Sequence, residues 1–431
     1  MITFNNCNFL VLQPGNFCEI DEQFDASVVG TVSGSLNIPY DLGTGVVALS
    51  GTSVHALTST FLSSSVDPSV FGQAVTLRAS VLSSTSGIPT GTVTFRDGAT
   101  NLATVGLSGG LASFATSALT PGSHSITVVY SRDGNFLPST SGVLIQKIED
   151  ASNTKLASSP DPSTYGGSVT FKATVTPKTG SGTPTGMVTF MNGATTIGTV
   201  ALSGGTASLT TSALLAGTHF IKAVYSGSSI FLPSSSPLLS QVVDRAATIT
   251  TLLSSLSPSE FDQVVTFIAK VTSTATPSGT VTFKNGATTL GVKTLTGGTA
   301  TLAISTLTVG SHPITAIFSG NANQLGSTSA VLTQTLKLAP TSTTLASSKD
   351  PSLFGETVTI TATVKSLTAG VPTGQVTFKD AATIVTIPLS GGKASFATST
   401  LSKGTHNLTA VYDGGSSYAP SISPVWTQTV K

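Results

Sequence analysis

Charged residues are scarce in this chain of 431 residues. Only 9% are Asp, Glu, Lys or Arg, against about 25% in typical soluble domains. The formal net charge is +1, and the 19 Lys and Arg residues form no cluster. Nucleic acids and acidic membrane surfaces bind through such basic clusters. We therefore expect no nucleic-acid partner, and the long uncharged stretches favour an extracellular or cell-surface location.

Long hydrophobic runs are missing as well. No run of 18 apolar residues occurs, so we expect no membrane insertion. Residues 1–7 have neither the basic start nor the apolar segment of a secretory signal peptide. We expect the chain to be truncated at its N-terminus, with the signal peptide lost.

A ten-residue segment that begins Pro-Thr/Ser-Gly-x-Val-Thr-Phe occurs four times. It spans 89–98, 184–193, 277–286 and 372–381, so that successive copies begin 95, 93 and 95 residues apart. A fixed period of this size indicates tandem domains. The predicted domains are 56–148, 152–243, 246–336 and 340–431, after a separate segment 1–54.

Within each repeat the hydrophobic pattern has the period of a β-strand. Val358, Ile360, Ala362 and Val364 alternate with threonines, which predicts one buried and one hydroxyl-bearing face. Asp-Gly or Asn-Gly after the Phe suits a tight hairpin turn with positive φ. About seven such strands with turns between them predict an all-β antiparallel sandwich.

Three motifs give the repeats a resemblance to a known family. They are Pro-Thr-Gly-x-Val-Thr-Phe, Leu-Ser-Gly-Gly-x-Ala and Gly-Ser/Thr-His-x-x-x-x-Val-Tyr. Together they resemble the bacterial Ig-like domains of group 3, which occur in tandem in large bacterial surface and secreted proteins. The resemblance implies tandem seven-stranded antiparallel Ig-like β-sandwiches arranged as beads on a string. The third repeat departs at Thr296 and Phe318, and the fourth has Ala381 where the others have the hairpin glycine.

Residues 1–54 do not match the repeat. Their pattern of Asn-Cys, Leu-x-x-Gly-x-x-Cys-x-Ile and Gly-x-x-x-Gly-x-Leu-x-Ile resembles the C-terminal part of the hydin/abnormal-spindle type of Ig-like domain (choice-of-anchor D). The resemblance implies a structural disulfide between Cys7 and Cys18. Two free thiols, or two ligands of a metal site, are the alternatives, although a metal needs further ligands and His55 is the nearest histidine.

Four of the five histidines recur at one repeat position: His124, His219, His312 and His406. Each precedes a strand and has the same parity as its inward-facing residues. We interpret them as structural corner residues that bond the upstream backbone, a role that tyrosine has in related sandwiches. A single histidine per domain cannot converge with the others on a metal.

One match to a catalytic motif occurs, at Gly106-Leu-Ser108-Gly-Gly110. The Gly-x-Ser-x-Gly motif needs a strand-to-helix turn that exposes the serine. The other repeats have Ala201, Thr294 and Pro388 in place of Gly106, so only a hairpin turn recurs. With no acid–base pair, nucleophile set or cofactor loop, we expect no enzyme activity and no cofactor.

A calcium ion bound between domains would need several acidic residues at each junction. Glu149, Asp150, Asp161 and Asp133 lie near the first junction and Asp244 near the second, whereas residues 337–340 contain no acid. A calcium ion takes six to eight oxygen ligands, so a repeated calcium clamp is not expected. We expect no metal, and an isolated site at the first junction stays open.

Two functions are consistent with these observations. The first is a non-enzymatic structural or adhesive stalk of a bacterial surface or secreted protein, with the repeats as semi-rigid spacers. The alternative is a set of accessory modules of a larger secreted enzyme, for example a carbohydrate-active one, whose catalytic part is missing from this chain. The junctions are only a few residues long and lack flexible Gly/Ser runs, which predicts a monomeric rod. A protein or carbohydrate at a cell surface is the expected kind of partner.

Overall fold

The computed structural model describes residues 29–40 and 43–431. In these residues every regular element is a β-strand, which confirms the predicted all-β class. The first two strands, β1 (Gly30–Tyr40) and β2 (Gly43–Ser53), pair antiparallel along their whole length. Cys7 and Cys18, with the disulfide that the resemblance implies, lie outside the described residues.

The chain divides into two compact units. The first comprises Met1–Ala157, Phe171–Leu209 and Phe220–Leu239, and the second comprises Ser158–Thr170, Thr210–His219 and Ser240–Lys431. Repeat 1 therefore belongs to the first unit and repeats 3 and 4 to the second. Repeat 2 contributes segments to each.

Repeat 1 contains seven longer strands and two of two residues each. They are β3 (Thr58–Ser64), β4 (Ser69–Val70), β5 (Val75–Ser83), β6 (Thr92–Asp97), β7 (Thr100–Gly106), β8 (Leu111–Thr116), β9 (Gly122–Tyr130), β10 (Ser139–Thr140) and β11 (Leu144–Glu149). One sheet has the order β3-β5-β8, and the other has the order β4-β11-β9-β6-β7, with β10 beside β9. Most pairs are antiparallel, but the short β4 pairs parallel with the final strand β11. This is the predicted Ig-like sandwich.

Repeat 2 has the corresponding strands. They are β12 (Ser152–Ser159), β13 (Ser163–Thr164), β14 (Val169–Pro177), β15 (Met187–Asn192), β16 (Thr195–Ala201), β17 (Thr206–Thr211), β18 (Gly217–Tyr225), β19 (Ser234–Ser235) and β20 (Leu239–Asp244). As in repeat 1, the short second strand, β13, pairs parallel with the last strand, β20.

Repeats 3 and 4, in the second unit, have the same order of strands. In repeat 3 they are β21 (Ile249–Ser254), β22 (Ser259–Glu260), β23 (Val265–Thr272), β24 (Thr280–Asn285), β25 (Thr288–Thr294), β26 (Thr299–Ile304), β27 (Gly310–Phe318), β28 (Ser327–Thr328) and β29 (Leu332–Lys337). In repeat 4 they are β30 (Thr341–Ser347), β31 (Val358–Ser366), β32 (Gln375–Asp380), β33 (Ala382–Pro388), β34 (Lys393–Thr398), β35 (Gly404–Tyr412), β36 (Ser421–Ile422) and β37 (Trp426–Val430). The parallel pair recurs as β22 with β29, and as a bridge between Ser352 and Val430.

The core of each repeat comes from the alternation visible in the sequence. In β5, Val75, Leu77, Ala79 and Val81 are buried between exposed or half-buried neighbours. The aromatic residues that recur at two repeat positions are buried: Phe95, Phe190, Phe283, Phe378, Tyr130, Tyr225, Phe318 and Tyr412. Burying one such side chain stabilises a domain by about 2 kcal/mol. Trp426 is partly buried and packs against the core of repeat 4.

The hairpin after the central Phe forms the predicted turn with positive φ. Gly98, Gly193 and Gly286 have φ of 55°, 58° and 56°. Ala381 occupies the same position in repeat 4 and adopts φ of 55°, a region that L-residues other than Asn and Asp rarely enter. The hairpin geometry therefore persists without its glycine, at a cost in backbone free energy.

Candidate functional site

The four recurring histidines stand at equivalent corners of the repeats. In each, Nε2 lies within hydrogen-bond distance of the carbonyl oxygen four residues upstream. The pairs are His124 with Thr120 O (2.7 Å), His219 with Leu215 O (2.8 Å), His312 with Thr308 O (2.7 Å) and His406 with Ser402 O (2.8 Å). A carbonyl only accepts, so Nε2 is the protonated nitrogen at all four corners.

The second ring nitrogen has different partners in different repeats. Nδ1 of His124 lies 2.6 Å from Asp97 Oδ2, and Nδ1 of His406 lies 2.6 Å from Asp380 Oδ2. Both nitrogens of these rings face acceptors, which the imidazolium form satisfies. In repeat 3, Nδ1 of His312 lies 2.9 Å from Asn285 Nδ2, so that the partner is an amide donor in place of a carboxylate.

The pKa values follow these contacts. Burial lowers the pKa of His124, but the hydrogen bonds to Thr120 O and to Asp97 outweigh burial and the net pKa is raised. The pKa of His406 is raised mainly by its bond to Ser402 O and then by Asp380. The corner arrangement therefore holds a proton more tightly in repeats 1 and 4 than free histidine does.

Four buried glutamines were missed by the sequence analysis. Gln146, Gln241, Gln334 and Gln428 have 0% exposure in the last long strand of each repeat. Each Nε2 donates to a carbonyl of the turn after the first long strand: Val66 O (2.9 Å), Pro160 O (3.1 Å), Leu256 O (2.8 Å) and Lys349 O (2.9 Å). Their recurrence at spacings of 95, 93 and 94 residues is the sequence feature that could have identified them.

In two repeats a serine completes this glutamine contact. Ser64 Oγ donates to Gln146 Oε1 at 2.5 Å, and Ser254 Oγ donates to Gln334 Oε1 at 2.7 Å. The amide thereby joins the beginning and the end of its repeat through groups that are 75 to 82 residues apart. A buried amide with these partners is a structural cross-link, because its polar atoms are matched without water.

The acidic residues considered for calcium bind separate partners. Asp133 accepts from Thr90 and from the amides of Asn135 and Phe136, Asp161 accepts from Val242 N, and Glu149 lies 2.5 Å from Lys147 Nζ. Burial raises the pKa of Asp133, but its hydrogen bonds dominate and lower the pKa to about 2. Within residues 29–40 and 43–431, no three His, Cys, Asp or Glu side chains form a group suited to a metal ion.

Asp150 has a role at the junction between repeats 1 and 2. Its side chain is 0% exposed, and its two carboxylate oxygens accept from Thr179 Oγ1 and Gly180 N, each at 2.8 Å. A Cβ on Gly180 would lie 2.6 Å from Asp150 Oδ2 and 3.2 Å from Pro121 Cγ. Pro121 of repeat 1 therefore lies directly against a loop of repeat 2.

The junction between repeats 2 and 3 is formed by different hydrogen bonds. Thr274 Oγ1 donates to Tyr165 O at 2.6 Å. The backbone amide of Ala216 donates to Asn323 Oδ1 at 3.0 Å. These bonds join groups more than 100 residues apart, across a linker of a few residues.

The junction between repeats 3 and 4 repeats the first of these bonds and adds an aromatic contact. Thr368 Oγ1 donates to Phe261 O at 3.0 Å, as Thr274 does to Tyr165. The rings of Phe261 and Tyr418 meet edge to face with centroids 5.6 Å apart. Tyr418 Oη donates to Asp262 Oδ2 at 3.3 Å.

Ser108, the serine of the apparent catalytic motif, lies in a turn between two strands. It exchanges backbone hydrogen bonds with Leu111, and Gly109 and Gly110 have φ of 61° and 75°. The turn joins β7 and β8, which lie in different sheets, so it passes between the sheets and the predicted hairpin is wrong here. It also differs from the strand-to-helix elbow of hydrolases.

Comparison with known proteins identifies a family along most of the chain. A family model described as bacterial Ig-like domain (group 3) matches residues 62–149, 156–244, 252–337 and 344–431. The matched spans contain the corner histidines and the buried glutamines. The sequence has no significant match among curated proteins.

The solved structures that match this chain have low sequence identity to it and low TM-scores. The fibronectin(III)-like modules of Clostridium thermocellum CbhA are 20% identical over 42% of this chain and 94% of theirs, with a TM-score of 0.18. A 1.5-MDa bacterial ice-binding adhesin is 16% identical over 66% of this chain and 98% of the solved chain, with a TM-score of 0.24. The Escherichia coli adhesin FdeC is 15% identical over 64% and 96%, with a TM-score of 0.24.

Proposed function

Because the chain belongs to the bacterial Ig-like domain (group 3) family, we propose that it is a non-enzymatic stalk whose repeats are semi-rigid spacers. In this role the repeats hold an attached domain or binding surface at a distance from the cell. The proposal places the chain at the cell surface or outside the cell.

The observation that carries the proposal is the bonding at the junctions. At each junction, a side chain of one repeat contacts the backbone of its neighbour: Pro121 lies against Gly180, Thr274 bonds Tyr165 O, and Thr368 bonds Phe261 O. A flexible tether needs linkers without such contacts. Contacts of this kind restrict bending between neighbouring repeats, which is the property that a spacer needs.

Small-angle scattering of the purified chain tests this proposal. A compact globule of this length has a radius of gyration of about 22 Å. Four sandwiches end to end, at the strand rise of a β-sheet, give a rod of about 150 Å, whose radius of gyration is about 43 Å. We expect a value near the rod, and a value near the globule would refute the spacer function.

A matched variant separates extension from stiffness. Insertion of a long Gly/Ser segment between Leu338 and Ala339 makes the last linker flexible while leaving both repeats intact. We expect the maximum dimension to be retained and the distance distribution to broaden. If the unmodified chain already gives the broad distribution, the junctions are not semi-rigid.

The corner histidines and buried glutamines support the same proposal as structural residues. They satisfy buried or half-buried polar groups inside single repeats, and the proposal gives them no part in ligand binding. Within the residues that the structure describes, no helix has the length and apolarity to cross a membrane. Labelling of intact cells with an antibody against the repeats tests the location, and labelling only after lysis would contradict it.

A further inference from the structure

Asp262 has a backbone conformation that the other repeats assign to glycine. Its φ is 60°, and the corresponding residues are Gly72, Gly166 and Gly355, with φ of 85°, 78° and 79°. Glycine adopts this region without steric cost, whereas a residue with a Cβ is strained there, although Asp tolerates it better than most. Asp262 therefore replaces the glycine that the turn favours. We look for a contact of its side chain that compensates for the backbone strain.

The compensating contact lies in the next repeat. Tyr418 Oη donates to Asp262 Oδ2 at 3.3 Å. The residues that correspond to Tyr418 are Phe136, Phe231 and Gln324, and none of them has a hydroxyl. The carboxylate and the phenol thus occur together at one junction and at neither of the others.

Neighbouring residues enclose this pair. The ring of Phe261 meets the ring of Tyr418 at an interplanar angle of 81°, and Thr368 Oγ1 bonds Phe261 O. A Cβ on Gly370 would overlap both Asp262 Oδ2 and Tyr418 Oη, so glycine is needed there for the approach. Burial and the nearby carboxylate of Asp262 raise the pKa of Tyr418, which keeps the phenol protonated as a donor.

We propose that Asp262 and Tyr418 form a junction-specific contact through which repeat 3 stabilises repeat 4, at the expense of repeat 3 itself. The contact requires repeat 3 to be followed by repeat 4, because no other pair of neighbouring repeats has both the carboxylate and the phenol. It deepens the proposed spacer function, since coupled folding of neighbouring repeats stiffens their junction.

The chain provides its own probe for the test. Trp426 is the only tryptophan in the sequence and lies in repeat 4, so its fluorescence follows the unfolding of repeat 4 in the full chain. Urea titrations compare the natural chain with Asp262→Gly, Tyr418→Phe and the double variant. We expect Asp262→Gly to shift the repeat 4 midpoint to lower urea. In the Tyr418→Phe background, Asp262→Gly should have little effect on this midpoint. The effects of Asp262→Gly on the unfolding equilibrium constant of repeat 4 should therefore differ about fivefold between the two backgrounds.

Hydrogen exchange measured on the same variants should show the opposite effect on the stability of repeat 3. Asp262→Gly relieves the left-handed strain, so amides of repeat 3 should exchange more slowly. Gly72→Asp is the matched control, because its site is open and the repeat 1–2 junction has Phe231 in place of the tyrosine. It should speed exchange in repeat 1 and leave repeat 2 unchanged.

Two results would overturn the proposal. The first is an unchanged repeat 4 midpoint in Asp262→Gly, and the second is an equal shift in the presence and absence of the Tyr418 hydroxyl. Scattering tests the spacer function separately: a compact particle would refute the spacer even if the coupling is measured, and an extended particle without coupling would refute only the contact.

Discussion

Asp380 Oδ2 lies 2.6 Å from Nδ1 of His406, and the histidine bonds Ser402 O through its other nitrogen. The pair connects the hairpin strand β32 to the strand β35 beside it. Repeat 3 has the same corner with Asn285 as the partner. The chain therefore contains the same corner with a carboxylate partner in repeat 4 and with an amide partner in repeat 3.

The first prediction is that repeat 4 loses stability as the pH rises through the pKa of His406. The folded-state pKa is raised, while the unfolded value is about 6.5. Proton linkage then gives a contribution to stability that is complete below the unfolded pKa and disappears above the raised folded pKa. Urea midpoints from Trp426 fluorescence, measured across this range, should fall as the pH increases.

Asp380→Asn is the control for this pH dependence, because it copies the corner of repeat 3. The variant should show a smaller fall in midpoint over the same pH range. A fall of equal size in both proteins would show that another group is responsible.

The second prediction concerns Gln428, whose Nε2 donates to Lys349 O. Gln428→Glu keeps the size but places a carboxylate, without a donor, against a carbonyl in a buried site. An unmatched buried charge of this kind should destabilise repeat 4 by about 3 kcal/mol at neutral pH, and by less at low pH, where the carboxyl is protonated. Trp426 fluorescence measures the stability of repeat 4 at both pH values. Equal stability of the natural chain and Gln428→Glu at neutral pH would mean that the site admits water.

The third prediction is that Ala381→Gly stabilises repeat 4. The alanine has φ of 55°, and glycine removes a left-handed strain of about 1 kcal/mol. Gly98→Ala is the reciprocal change in repeat 1, at a turn where an added Cβ meets no other atom. It should destabilise repeat 1, which hydrogen exchange can detect. If both substitutions stabilise their repeat, or both destabilise it, the backbone explanation is excluded.

The fourth prediction is that Asp150→Ala weakens repeat 2 next to the first junction. Alanine already occupies this position in the other repeats, as Ala56, Ala246 and Ala339, so the backbone accepts it. The loss leaves Gly180 N and Thr179 Oγ1 without their acceptor and should cost about 2 kcal/mol. Faster amide exchange at residues 178–182 of the variant would show this loss of stability.

Calcium provides the control for this variant. If Asp150 acts through Thr179 and Gly180, adding calcium or a chelator should leave the melting of the natural chain unchanged. A rise in melting temperature with calcium that Asp150→Ala abolishes would instead assign the residue to a metal site.

The fold was predictable because its causes are local and repeated. Alternation such as Val358 to Val364 specifies the buried face, and Asp97-Gly98 specifies the hairpin. The partner of His124 Nε2, Thr120 O, is likewise only four residues upstream. In each case the determining residues are close in sequence.

The contacts at the junctions could not be predicted in this way. Tyr418 and Asp262 are 156 residues apart, and the sequence alone does not show which loop of one repeat meets which turn of its neighbour. Gln428 escaped notice for a different reason, because it stands between Thr427 and Thr429, where a further polar residue resembles a solvent-facing position. Only its recurrence in all four repeats distinguishes it from a solvent-facing residue.

The parallel pairing of the short second strand with the last strand has a mechanical consequence. In repeat 1, β4 and β11 run in the same direction, and Phe71 N donates to Glu149 O beside them. When the two ends of a repeat are pulled apart, hydrogen bonds that lie across the direction of pull are loaded together in shear. Antiparallel strands pulled from one end would instead open bond by bond. The same parallel pair, reduced to a single bridge in repeat 4, would resist tension along the chain in each of the four repeats.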